Sequence, residues 1–117
     1  MPTSKTVKEQ QRAYAERLLT ALGSQLAVRE VTVVLIVAED GRPALDVTDS
    51  RCRMRRVFVQ LPFCWFYWGD QDDERVSFLQ MPAAVDRVEQ AARAGWHAGE
   101  QGELSVDLNK MLDAYRG

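Results

Sequence analysis

The chain has 117 residues, of which 46% are hydrophobic, and a formal net charge of −2. This length predicts a single domain with one core. The acidic balance argues against a dedicated nucleic-acid binder, since such domains usually carry net positive charge. Two cysteines without CxxC spacing and a single histidine do not complete a familiar zinc set, and we expect no cofactor.

The start of the chain and its apolar runs bear on its compartment. The first twenty residues are polar and charged, unlike a signal peptide. No apolar run approaches the ~20 residues of a membrane span. We therefore expect a cytoplasmic protein without membrane contacts, in which both cysteines stay reduced.

The first predicted element is an amphipathic helix. Thr6 to Glu9 fits a capping box at its start. Gly23 is expected to end it, as the residue that follows a C-cap. Apolar residues recur between these points at helical spacing: Val7, Tyr14, Leu18, Leu19 and Leu22.

Two strands follow as a hairpin. The segment from Val31 to Val37 is nearly all β-branched, which predicts a central strand buried on both faces. Asp40 and Gly41 give the turn signal that joins it to a return strand, Ala44 to Val47.

An aromatic segment dominates the middle of the chain. Arg55 to Gln60 is predicted as a third strand, and a tight turn at Pro62 separates it from an aromatic strand. A single strand bent at Pro62 is the alternative. Both faces of the aromatic strand are apolar, so both need cover. Alternation of side chains places Phe63, Trp65 and Tyr67 on one face and Cys64, Phe66 and Trp68 on the other.

The remaining elements are a short strand and two helices. An acidic turn precedes the fifth strand, Arg75 to Leu79. Pro82 suits the first turn of the next helix, and Gly95 suits its C-terminal stop. Beyond a glycine-rich stretch, an apolar stripe at helical spacing predicts a short C-terminal helix: Leu108, Met111, Leu112 and Tyr115.

This order predicts an α+β fold: an N-terminal helix, a five-stranded and mostly antiparallel sheet, a helix, a linker and a short C-terminal amphipathic helix. The domain is expected over residues 1–95, the glycine-rich linker over 96–103 and the amphipathic helix over 104–117.

The aromatic strand and the helix after it also carry a resemblance. Trp65 to Gly69 and Pro82 to Val88, within a stretch from about Tyr14 to Ala94, resemble small uncharacterised α+β proteins of high-GC actinobacteria. Those proteins carry Trp where this chain has Phe66 and Tyr67, and a longer loop before the strand. The resemblance implies the same architecture and a bacterial cytoplasmic setting, and it assigns no functional residue.

These patterns favour a non-catalytic interaction module over an enzyme, because no acid/base set is evident. We expect a homodimer or a complex with a protein partner, formed through Phe66, Trp68, Leu108, Met111, Leu112 and Tyr115. One alternative is a small apolar ligand held by Phe58, Trp65 and Tyr67. Another is single-stranded nucleic acid bound by Arg51, Arg53, Arg55 and Arg56, although the net charge makes nucleic acid the less favoured partner.

Overall fold

A computed structural model of the chain describes residues 6–97 as an α+β fold, which confirms the predicted fold class. Five strands form one antiparallel sheet in the order of the chain. The predicted C-terminal helix lies outside the described residues. No helix within residues 6–97 is long and apolar enough to cross a membrane. The elements in chain order are α1 (Val7–Val28), β1 (Val33–Val37), β2 (Pro43–Thr48), β3 (Met54–Gln60), β4 (Trp65–Tyr67), a 3₁₀ turn (Asp72–Glu74), β5 (Arg75–Ser77) and α2 (Met81–Ala94).

Helix α1 begins where the sequence predicts and ends later. The hydroxyl of Thr6 accepts a hydrogen bond from the backbone N–H of Glu9 at 3.1 Å, which confirms the N-cap. Gly23 does not end the helix, so that prediction is wrong. A Cβ at Gly23 would lie 3.0 Å from Cδ1 of Leu45 on β2. The glycine therefore allows α1 to pass close above the sheet.

Strand β1 does not lie in the centre of the sheet, so the prediction of a central, doubly buried strand is wrong. It forms one edge and, within residues 6–97, pairs only with β2. Val34, Leu35 and Val37 are 54%, 40% and 73% exposed. A run of β-branched residues favours a strand but does not specify its place in the sheet.

Both helices cover the same face of the sheet, which we call the helix-side face. Burial of apolar surface against this face is the main stabilising contribution to the fold. The packed side chains are Leu19, Leu22 and Leu26 of α1, Ala84, Val85, Val88 and Ala92 of α2, and Leu45, Val47, Val57 and Phe66 of the sheet, together with Trp68 and Trp96.

The opposite face, which we call the second face, has its own small apolar cluster. Ala38, Ala44, Phe58 and Tyr67 are buried, and Ile36 packs against them. Among the described residues no helix residue belongs to this cluster. The two helices therefore account for one face of the sheet only.

The segment before β4 is a turn, as predicted, and the aromatic strand is shorter than predicted. The N–H of Cys64 donates to the carbonyl of Leu61 at 3.0 Å, and Cys64 takes a φ of 58°. Phe63 belongs to this turn and is 47% exposed. Regular pairing begins only at Trp65.

Helix α2 has the predicted boundaries. Pro82 lies in its first turn, and Gly95 follows its last residue with a φ of 95°. The next residue, Trp96, folds back and is buried. The predicted glycine-rich linker therefore starts inside the folded part of the chain, and its residues after His97 lie outside the described range.

Candidate binding surface

Phe66 and Trp68 are not available to a partner, which corrects the interface predicted from the sequence. Phe66 is 0% and Trp68 is 1% exposed, because both belong to the core beneath the two helices. The other four predicted interface residues, Leu108, Met111, Leu112 and Tyr115, lie outside the described residues. The faces of the aromatic strand are therefore assigned the other way round from the prediction.

The second face carries the residues that the sequence suggested for a small ligand. Residues paired across antiparallel strands share a face. Phe58 pairs with Tyr67, and Gln60 pairs with Trp65. The structure thus brings Phe58, Trp65 and Tyr67 together on one face. The rings of Phe58 and Tyr67 stack with their centroids 5.9 Å apart.

Arg42 covers one part of this aromatic cluster. Its guanidinium carbon lies 4.5 Å from the centroid of the Phe58 ring, and Nη1 donates to the hydroxyl of Tyr67 at 3.3 Å. Nε pairs with the carboxylate of Asp40 at 2.6 Å. This geometry joins a cation–π contact to a charge-assisted hydrogen bond, so the guanidinium is held in one orientation over the ring.

Arg75 repeats the arrangement on β4 and β5. Its guanidinium carbon lies 4.3 Å from the centroid of the Trp65 ring, and Nη2 pairs with Asp72 at 2.7 Å. The ring of Phe63 lies on the same tryptophan, 4.8 Å away between centroids. Arginine, tryptophan and tyrosine are the side chains that most often dominate binding energy at protein interfaces. Phe58 and Tyr67 are buried, whereas Phe63, Trp65 and Arg75 are partly exposed, so the part of the second face around Trp65 has the composition of a docking surface.

The four arginines suggested for nucleic acid do not form one surface. Arg55 points to the helix-side face, where it is 8% exposed, while Arg56 lies on the second face and pairs with Asp46 at 3.3 Å. Arg53 is held by Asp49 and by the carbonyl of Trp96. Alternation along β3 separates side chains that are adjacent in sequence. Arg55 and Arg56 therefore do not lie together on a basic strip of the kind on which successive bases stack.

A buried ion pair occupies the helix-side face near the end of β4. Nη1 of Arg55 donates to Oε2 of Glu74 at 2.6 Å, and Nη2 donates to the carbonyl of His97 at 2.9 Å. A Cβ at Gly69 would overlap the carboxylate of Glu74. The glycine of the Trp-Gly pair thus provides the space for this carboxylate.

Asp49 anchors the end of α2 to the sheet. Its carboxylate accepts hydrogen bonds from the backbone N–H groups of Arg51, Arg53 and Trp96. Desolvation by burial raises the pKa of Asp49, but these hydrogen bonds and that of the Arg53 guanidinium outweigh it and lower the pKa to about 2. The carboxylate is therefore charged and fully engaged in holding the fold.

His97 contacts the acidic turn rather than lying free in a linker. Its Nε2 lies 2.8 Å from Oδ2 of Asp73, and this hydrogen bond lowers the pKa of the Asp73 carboxyl. Trp68, Arg87 and Trp96 line a small pocket of about 250 Å³ beside it. Among residues 6–97, no serine or cysteine lines this pocket beside the histidine–aspartate pair.

A wider cleft of about 400 Å³ lies between the first half of α1, the β1–β2 hairpin and the end of β3 with the turn that follows it. Of the three residues predicted for an apolar ligand, only Phe58 lines it; Trp65 and Tyr67 do not. Lys8, Arg12 and Arg42 bring positive charge to its walls. This cleft is therefore not a site built from all three predicted aromatics.

Within residues 6–97 no group of three or more histidine, cysteine or acidic residues is placed to hold a metal ion. Comparisons with protein-family models, curated proteins and solved structures give no match. Arg42 and Arg75 are not among the site residues predicted from the sequence. Arg42 lies in a hairpin turn and Arg75 in an edge strand, and their aromatic contacts arise only from strand register.

Proposed function

We propose that this chain is a non-catalytic protein-interaction module, in a reducing cytoplasmic setting, that binds an amphipathic helix on its second face. The observation that carries the proposal is the half-buried ring of Trp65, which stacks with the guanidinium of Arg75 and the 47% exposed ring of Phe63 on a face to whose buried cluster neither α1 nor α2 contributes a residue. Such rigid aromatic and arginine side chains lose little conformational freedom on binding, which favours affinity.

The chemistry of the ligand follows from this face. Aromatic rings and the flat faces of guanidinium groups offer apolar contact area, and each of these cations already has a carboxylate partner within the chain. This surface therefore fits a ligand that presents an apolar stripe, rather than an acidic peptide. Helices that lie in a surface groove present their anchors at i, i+3, i+4 and i+7.

Residues 104–117 supply such a stripe within this chain. Leu108, Met111, Leu112 and Tyr115 follow helical spacing. The described part ends at His97, whose carbonyl is held by Arg55. Residues 98–103 can span at most roughly 20 Å when extended, whereas the layers of a fold are about 10 Å apart. We propose this segment of the same chain as the occupant of the second face.

The test uses a chain that ends at residue 102 and a synthetic peptide of residues 103–117. Far-UV circular dichroism and a melting curve first check that the shortened chain is folded. We expect saturable binding of the peptide, with NMR shifts concentrated at Trp65 and Arg75. A peptide with Leu108→Glu and Leu112→Glu should not bind.

A matched pair of variants locates the surface. Trp65→Ala in the shortened chain should weaken binding of the peptide, and Val28→Ala, at an exposed position that ends α1, should not. Absence of saturable binding, or shifts confined to the helix-side face, would contradict the proposal.

A further inference from the structure

The open edge of β1 has the features of a surface that pairs with another strand. All five of its residues are valine, leucine or isoleucine, and no charged residue lies between Val31 and Ala38. Exposed edge strands are normally protected by charges, proline, bulges or short length, because their free peptide groups recruit other chains. None of these devices is present in β1.

The opposite edge of the sheet, formed by β5, is protected by short length, a charged residue and a neighbouring helix. Strand β5 has three residues, and one of them is Arg75, which is paired with Asp72. It leads within a few residues into α2, which packs beside it. The two edges of one sheet are therefore built differently, and only the β1 edge is long and apolar.

The direction of the peptide groups in β1 follows from its pairing with β2. The N–H of Ala38 donates to the carbonyl of Arg42 at 2.8 Å, and the carbonyl of Thr32 accepts from the N–H of Thr48 at 3.0 Å. Hydrogen-bonded positions alternate along an antiparallel ladder. The N–H and C=O groups of Val33, Leu35 and Val37 therefore point away from β2, toward the open edge.

We propose that β1 pairs antiparallel with β1 of a second copy, giving a two-fold dimer with one continuous ten-stranded sheet. A two-fold axis makes each copy present the same surface, and an uncharged strand of uniform chemistry is complementary to itself. The register that pairs all five residues places Leu35 opposite Leu35 of the second copy and Val33 opposite Val37. This pairing covers the side chains of Val34, Leu35 and Val37, which the single chain leaves exposed.

The inference does not depend on the second face, because β1 pairs through its edge. Loss of peptide binding by the Trp65→Ala variant and loss of the dimer are therefore separate results. Either proposal can fail while the other stands.

The test is the solution mass of the full chain over a concentration series, measured by light scattering or sedimentation. The parent should have the mass of two chains. Leu35→Lys should have the mass of one, because it places two ammonium groups opposite each other at the two-fold axis. Leu79→Lys is the matched control, since Leu79 is 71% exposed and follows the other edge strand; it should remain a dimer.

Amide hydrogen exchange gives a second measurement that does not depend on a variant. In the parent, the N–H groups of Val33, Leu35 and Val37 should become protected as the concentration rises, while those of Val34 and Ile36 are protected by β2 throughout. A monomeric parent, a mass above two chains, a dimeric Leu35→Lys variant that is folded, or unprotected outward amides would each overturn the proposal.

Discussion

Alternate side chains of the aromatic strand lie on the two faces of the sheet, and they make different contacts on each face. On the helix-side face, Phe66 and Trp68 are enclosed by leucine, valine and alanine side chains of α1 and α2. On the second face, Trp65 and Tyr67 meet guanidinium groups instead. Neighbouring residues therefore have different roles, because alternation along a strand sends them to opposite sides. The helix-side face therefore holds the fold together, whereas the second face carries the partly exposed groups on which the proposed binding depends.

Polar groups follow the same division. On the helix-side face and at the end of α2, Arg55, Glu74 and Asp49 are buried, and each has a charged or hydrogen-bonding partner. Burying a charge without such a partner would cost far more than the contact gains. On the second face, Arg42 and Arg75 are partly exposed and lie on top of rings. The buried groups hold the helices and strands in position, whereas the two arginines of the second face remain partly exposed to solvent.

The largest expected effect is that of Trp68→Ala on the helix-side face. Removing a fully buried aromatic side chain leaves a cavity that the packed helices cannot fill, and such changes cost roughly 3–5 kcal/mol. Because the chain is small, a loss of this size removes much of its free energy of unfolding. Urea denaturation, followed by circular dichroism, measures it.

A loss below about 1 kcal/mol for Trp68→Ala would contradict the assignment of this face as the core. The sequence predicts Trp68 as an interface residue, whereas the structure buries it beneath the two helices.

The next effect concerns Asp49, which ties α2 to the sheet. The pKa of its carboxyl is lowered from 3.8 to about 2 in the folded chain. A lowered pKa means that the charged form is bound more tightly in the folded state, so this contribution is present above pH ~4 and is lost as the pH falls toward ~2. Asp49→Asn should cost about 2 kcal/mol at pH 7, in the range for hydrogen bonds to a charged group.

The pH dependence distinguishes this effect from a packing defect. Denaturation curves of the parent and of Asp49→Asn at pH 7, 4 and 2.5 should approach each other as the pH falls, since below pH ~4 the carboxyl of the parent is protonated in the unfolded chain while it stays largely charged in the folded chain until the pH nears ~2. A difference that stays constant with pH would show that the charge of Asp49 is not the stabilising feature. The Asp49→Asn substitution would then destabilise the fold through altered packing, and not through loss of the charge.

The sequence predicts the order and type of the elements well, because turns, caps and periodicity are local signals. Thr6, Pro82 and Gly95 mark helix ends where the structure has them. The helix end predicted at Gly23 is wrong, because a glycine at this position allows the close approach of α1 to Leu45. This is a contact between distant parts of the chain, which local signals do not reveal. The position of β1 at an edge is likewise a property of the whole sheet.

The division between the faces could be predicted only in part. Both faces of the aromatic strand are apolar, so hydrophobicity does not say which one the helices cover. The hydroxyl of Tyr67 is the available signal, since a buried hydroxyl needs a partner and Phe66 has no such need. Its partner, Arg42, lies 25 residues away, and only strand register brings the two together.

The smallest expected effect is that of Trp65→Ala on the second face. Trp65 is half-buried, and its ring contacts Arg75 and Phe63. Exposed cation–π and aromatic contacts contribute roughly 0.5–1.5 kcal/mol each, and the substitution leaves no enclosed cavity. We expect a loss of about 1 kcal/mol in the free energy of unfolding, well below that for Trp68→Ala. Urea denaturation of both variants under the same conditions gives the comparison directly. If the two losses are equal, the second face is as much a part of the core as the helix-side face, and it cannot also be the surface that a partner binds.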